Sequence, residues 1–286
     1  MIYKNKKPIF LFLIPAFLFM AVFLYYPFLQ NIINSFMKIR NLGGSARGLN
    51  DPIYKNYLKI LTDENVRMAL KNTVIMIVVT LIGQVGIAIV LAMLVDNIHR
   101  GASFFRIVYF FPIVISATAL GVLFNLIFQY DGGMLSQLVG AKVNWKELYP
   151  LTVMMTPVTW QYVGFYFIIL VTGLNNIPQE LYESAAIDGA TRWQRIRYIS
   201  WPMIHNVVCT CAILAVTGAL KVFDLPWVMF PNGAPLGKTW LTGTYMYYET
   251  MQSPDIDYSS ALALIIVILG VMLSKVVNRI FKERDY

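Results

Sequence analysis

Charge is what this sequence has least of. Only 13% of its 286 residues are Asp, Glu, Lys or Arg, where a soluble domain carries roughly 25%. With 58% hydrophobic residues, that shortage excludes an ordinary soluble globule. It equally excludes a disordered chain, which needs low hydrophobicity and high net charge. Histidine and cysteine are scarce as well, two of each. Cys209 and Cys211 lie two apart inside an apolar run, a spacing at which helical neighbours do not face each other. They read as free, small apolar residues. No Cys/His spacing suits zinc or a disulfide framework. His99 falls in a loop and His205 near the end of an apolar run, so the pair cannot bracket a haem inside a bilayer.

The missing charge is not spread evenly. Stretches free of Asp, Glu, Lys and Arg run over 8–37, 72–95, 107–130, 148–179, 198–220 and 258–274. A membrane-crossing helix needs about 20 mostly apolar residues. Five stretches meet this, and snorkelling Lys275 and Arg279 extend the last. The chain therefore reads as an all-α integral membrane protein, one domain over 1–286. It is a bundle of six transmembrane helices at about 9–29, 72–95, 107–128, 151–174, 203–222 and 259–279. The first is not a cleaved leader, because Tyr25, Tyr26 and Pro27 stand where small residues would be wanted. The segments on the side of the termini carry Lys and Arg at nearly twice the density of the others, which places both termini in the cytoplasm. Residues 225–258, rich in Pro, Gly and aromatics, then lie outside.

Few groups in these spans could do chemistry. Ionisable side chains inside spans mark ion paths, and these spans hold almost none. No paired carboxylates or Ser/His pair suggest a catalytic centre. Gly233 to Thr239 looks like a phosphate loop, but only three residues separate its glycines and Asn232 stands where the first glycine belongs. The segment reads as an outer turn. Small residues four apart (Ala88/Ala92, Ala117/Gly121, Ala215/Ala219) allow close helix packing. The uncharged polar and aromatic residues within spans include Gln84, Ser116, Thr118, Asn125, Trp160, Gln161 and Tyr162. Such groups need partners in lipid. They serve either interhelical hydrogen bonds or a passage for a neutral solute such as a sugar, whose hydroxyls and C–H faces suit amides and aromatic rings.

The most informative segment joins spans four and five. Pro178 suits a helix start, and Glu180 and Glu183 follow where negative charge is favourable. Gly189 suits a left-handed helix end. Thr191 and Gln194 have capping-box spacing, and Arg192, Arg195 and Arg197 make the second helix basic. Pro202 fits the first turn of the next span. Two readings stand: an amphipathic loop resting on lipid headgroups, or a helical knob for a groove on another protein.

At this loop the chain resembles the membrane-spanning permease subunits of ATP-binding-cassette importers for carbohydrates, of the maltose, glycerol-phosphate and multiple-sugar type. Their signature is Glu-Ala-Ala, three residues, Gly, nine residues, Ile, one residue and Leu-Pro. Here it is Glu183-Ser184-Ala185, Gly189, Ile199 and Trp201-Pro202, with Asp188-Gly189-Ala190 as in the carbohydrate version. Phe12 to Pro15, Tyr25 to Pro27, Asn56-Tyr57, Asn72-Thr73, Phe111-Pro112 and Gly132-Gly133 extend the likeness over nearly the whole chain. Gly233-Ala234-Pro235 departs from the common Gly-Gly-Pro.

The resemblance implies the first permease of a pair in the plasma membrane. It would work with a second, different permease, two ATP-binding subunits and an extracytoplasmic sugar-binding protein, surrounded by lipid and without nucleic acid. ATP and Mg would belong to the partner ATPases, with no cofactor in this chain, which would not itself be an enzyme. The elbow at about 179–198 would be the coupling helix, through Glu180, Glu183, Ser184, Ala185, Asp188, Gly189, Ala190 and Arg192. The substrate path is sought at Gln84, Thr118, Asn125, Trp160, Gln161 and Tyr162. The competing reading, a secondary transporter of a small neutral solute, requires ion-coupling carboxylates or broken helices inside the spans.

Overall fold

The computed structural model describes residues 7–40, 43–95, 101–253 and 255–280. Five of its helices are long and apolar enough to cross a membrane: Ile9–Asn34, Glu64–Val95, Pro150–Asn175, His205–Met229 and Ile256–Val277. A bent pair, Ser103–Val114 and Ala117–Ile127 with 95° between its halves, makes a sixth if it is counted as one span. His99 lies outside the described residues.

Two expected spans are broken. The helix expected over 107–128 is interrupted at Ile115, which is extended at φ −75°, ψ 135°. The cause is local. Pro112 has no amide hydrogen to give the preceding turn, and the Ser116 hydroxyl restarts the helix by accepting from the Ala119 N–H at 3.2 Å. Ser116 and Thr118 thus sit at a bend and not in the middle of a straight span. The fifth span, expected to end at 222, continues to Met229. Its helix stops at Lys221, Val222 turns extended (φ −60°, ψ 120°), and a second helix runs Asp224–Met229. Pro226 suits that second helix, because the first-turn N–H groups have no acceptor within the helix anyway. The outer segment expected over 225–258 therefore begins inside a span. Its remainder holds a short 3₁₀ turn and the helix Thr242–Met251.

The chain forms two compact units. The first comprises residues 1–63 and 246–268. Its first span buries none of its most apolar stretch within the chain, so that surface belongs to lipid or to another subunit. The loop after this span is held by polar contacts. Asp257, buried at the start of the last helix, accepts from the Asn50 amide at 3.2 Å and the Asn56 amide at 3.1 Å. Asn50 also donates to the Met37 carbonyl at 2.9 Å, and Lys59 pairs with Asp255 at 3.4 Å.

The second unit comprises 64–245 and 269–286. The second and fourth spans pack closely, with Ala88 and Ala92 fully buried among Phe167, Leu170 and Leu174. The fourth span also meets the helix Ala102–Val114 at Gly164, where an added Cβ would stand 1.8 Å from the Tyr109 carbonyl oxygen. Only glycine permits that approach. The buried Asn72 amide donates to the carbonyls of Lys238 and Trp240 at 2.8 and 2.9 Å. The Thr73 hydroxyl accepts from the Thr242 N–H at 3.1 Å. The phosphate-loop look-alike is thereby a turn wrapped against Trp240, whose ring a Cβ on Gly233 would strike at 2.4 Å.

Candidate functional site

Two places in the second unit gather the expected residues. One is a cavity of about 280 Å³ at mid-span, lined by Thr80, Gln84, Gln161, Tyr162, Tyr166 and the residues of the break, Lys221 to Leu225. The amide of Gln84 donates to the Val158 carbonyl at 3.1 Å, and that of Gln161 to the Ile115 carbonyl at 3.2 Å. Each side chain is therefore aimed and held. The Gln161 contact also satisfies a carbonyl freed by the bend of the third span.

The cavity brings together three of the expected path residues, Gln84, Gln161 and Tyr162, and leaves out the other three. Trp160 is one helical step from Gln161, about 100° around the axis. It lines a separate apolar cleft with Ile87, Val108 and Phe111, its ring 5.8 Å from that of Phe124. Thr118 is exposed at the bend. Asn125 is held by the Lys146 ammonium, which also donates to the Met229 carbonyl at 3.2 Å and lies 5.3 Å from the Phe230 ring centre. Burial holds that ammonium below its usual range. Asn125 and Lys146 thus fasten the outer ends of two half-helices.

Sequence reasoning missed Lys221 and Asp224. Both are exposed, flank the break and have no ion-pair partner among the described residues. A charged side chain at mid-bilayer costs about 2.5–3.5 kcal/mol on insertion scales. These two must therefore face water, a solute or another subunit. The signal that could have found them is the apolar run from Leu225 to Phe230 with Pro226 inside it. It continues the span beyond two charges that were taken as its end.

The second place is the elbow. Its first helix is Gln179–Ile187, preceded by Pro178 as N-cap. Gly189 sits at φ +74° with open space around it. Thr191 and Gln194 form both halves of the capping box, with the Thr191 N–H donating to the Gln194 side chain at 2.7 Å. The Tyr182 and Ser200 hydroxyls, 2.9 Å apart, tie the elbow to the base of the fifth span. Glu180, Ser184, Asp188 and Gly189 are exposed, and Ala185 and Ala190 half-buried. Glu183 and Arg192 line a cavity behind the elbow, and the Glu183 carboxylate accepts from Gln179 at 2.8 Å. The structure adds two residues to the exposed elbow, Ile187 at 87% and Trp193 at 72% accessible. Large apolar side chains so exposed mark a contact surface when grouped.

Comparison with known proteins follows this geometry. The chain is 29% identical over 293 aligned residues to the probable ABC transporter permease protein YurN of Bacillus subtilis (strain 168), covering 99% of this chain and 98% of that one. It is 28% identical to the lactose transport system permease protein LacF of Rhizobium radiobacter, covering 92% of this chain and 90% of that one. Its fold matches a chain of a bacterial alginate ABC transporter, solved in complex with an alginate pentasaccharide-bound periplasmic protein. The TM-score is 0.83 at 20% identity, over 99% of this chain and 98% of that one. The model of the binding-protein-dependent transport system inner membrane component family matches residues 84–284, and the chain belongs to that family.

Proposed function

We propose that this chain is one permease subunit of an ATP-driven, binding-protein-dependent importer that moves a sugar or related solute into the cytoplasm. The observation that carries this reading is the family match over residues 84–284, which include the elbow, supported by relatives such as the lactose permease subunit. In this reading the mid-span cavity is part of the solute path. Gln84, Gln161, Tyr162, Lys221 and Asp224 offer hydroxyl-bonding groups and an aromatic ring to a carbohydrate. The elbow docks in an ATP-binding subunit through the exposed Glu180, Ser184, Ile187, Asp188 and Trp193. The positive φ of Gly189 sets the direction in which the second elbow helix leaves. A second, different permease covers the unpartnered apolar first span and completes the path. An extracytoplasmic sugar-binding protein delivers solute to the outer mouth. The chain lies in the plasma membrane with both termini cytoplasmic, and ATP and Mg act in the partner subunits.

Lys221, Asp224 and the two broken spans are what a secondary transporter would also show, so the deciding experiment addresses the energy source. The complete transporter is reconstituted in vesicles and assayed with a panel of radiolabelled mono- and oligosaccharides. The importer reading expects uptake that requires ATP and the binding protein and persists when a protonophore and a sodium ionophore collapse ion gradients. Uptake by this chain alone, abolished by the ionophores, overturns it.

A further inference from the structure

The cavity behind the elbow has a composition that docking on an ATPase does not use. Its volume is about 450 Å³, and it lies where the ends of the second, fourth and fifth spans meet the elbow, between Met93, Asn175 and Ser200. Its charged lining is Glu183, Arg192 and Arg195. Glu183 already accepts a hydrogen bond from Gln179. The side chains of the two arginines have no ion-pair or hydrogen-bond partner among the described residues, and the Nε of Arg195 is buried with its N–H unmet. A buried N–H of a charged group is costly unless it finds an acceptor, and the half-buried Arg195 and exposed Arg192 leave room for one. Two guanidiniums facing one space match the planar, forked recognition of a phosphate group. Anionic headgroups lie at the depth of span ends, and their phosphates attract Arg and Lys there.

We propose that this cavity binds a phosphate group through Arg192 and Arg195. The ligand is either the headgroup of an anionic phospholipid inserted between the elbow and the span ends, or a soluble phosphate. This differs from an elbow merely resting on lipid. The outward surface remains free for a protein partner, while the inward surface holds one anion that fixes the angle between elbow and membrane. The proposal uses the elbow position of the reading above, but binding does not depend on which face is cytoplasmic or on transport.

The experiment uses the complete purified transporter in nanodiscs of four parts phosphatidylcholine to one part phosphatidylglycerol, and in nanodiscs of phosphatidylcholine alone. Retained lipid is read by native mass spectrometry. Inorganic phosphate is titrated into the second set and followed by ³¹P line broadening. Arg195→Gln and the exposed Arg192→Gln are compared with wild type, and Arg197→Gln, outside the cavity, is the control. Arg192→Gln keeps the test open should Arg195→Gln fail to assemble. Phosphatidylglycerol retained by wild type and by Arg197→Gln, but depleted about tenfold in either cavity variant, supports a lipid ligand. Phosphate broadening with the same pattern of loss supports a soluble one. Binding of neither, or loss that is equal in Arg197→Gln and the cavity variants, overturns the proposal. ATP-driven uptake, measured separately, reports on the importer reading, so the two fail independently.

Discussion

Gly164 and Gly189 both restrict what can replace them, for opposite reasons. At Gly164 the backbone is ordinary helix and the space is missing, since a Cβ would overlap the Tyr109 carbonyl. At Gly189 space is open and the backbone is the constraint, at φ +74°. Gly164→Ala must push two helices apart, and is expected to destabilise the subunit by about 1–3 kcal/mol. A lowered melting temperature of the purified transporter checks this. Gly189→Val is expected to abolish ATP-driven uptake at normal membrane levels, because holding a β-branched residue in the left-handed region costs about 1–3 kcal/mol. Gly189→Asn should retain most uptake, since Asn tolerates that region. Equal uptake by the Val and Asn variants would show that the turn does not depend on φ. The demand at Gly189 was legible in the sequence because it is local, set by helix-ending and capping rules within a few residues. The demand at Gly164 was not, because its neighbour is brought in by packing from another helix.

At the scale of elements, the counting of uncharged stretches located the five long apolar helices, because lipid punishes charge wherever it falls. The same criterion hid the breaks. Pro112 followed by Ser116 gives a bend of 95° without any charge to announce it. Lys221 and Asp224 looked like the end of a helix when they are the rim of an interruption within one. The path residues divided for a related reason. Trp160, Gln161 and Tyr162 are consecutive, and consecutive residues on a helix point in different directions, so a position along the span could not say which of them faces the cavity. Lys221→Met and Asp224→Asn are expected to reduce sugar uptake about tenfold each, the order of one lost charge-assisted hydrogen bond. Membrane levels should be unchanged, and uptake kinetics with immunoblotting measure both. Uptake at the wild-type rate in both variants would remove the break from the path.

For the whole molecule, the apolar first span with none of its most apolar stretch buried is the dominant fact. Lipid can cover it, but the same surface suits a partner of like composition packing in the bilayer. Co-expression with the proposed second permease is expected to raise the melting temperature of this subunit in detergent. The first span should then be protected from labelling by a membrane-soluble carbene probe. Unchanged labelling in the assembled transporter would assign that surface to lipid.

The second span carries a π turn over Thr80–Gly86, holding Gln84 at the cavity, before it resumes as Ile87–Val95 with Ala88, Ala92 and Val95 buried. Such a turn accommodates one residue more than the regular helix would, so it acts as a built-in insertion. Removing one residue there, by deleting Leu81, would let the helix run on without interruption. Because the wide turn already absorbs that residue, the helix beyond would keep its facing, whereas adding a residue would rotate everything beyond by about 100°. The alanine stripe would stay against the fourth span after the deletion and swing off it after the insertion. This segment should accordingly tolerate a single deletion better than a single insertion, a contrast that a scanning library read by membrane abundance would expose.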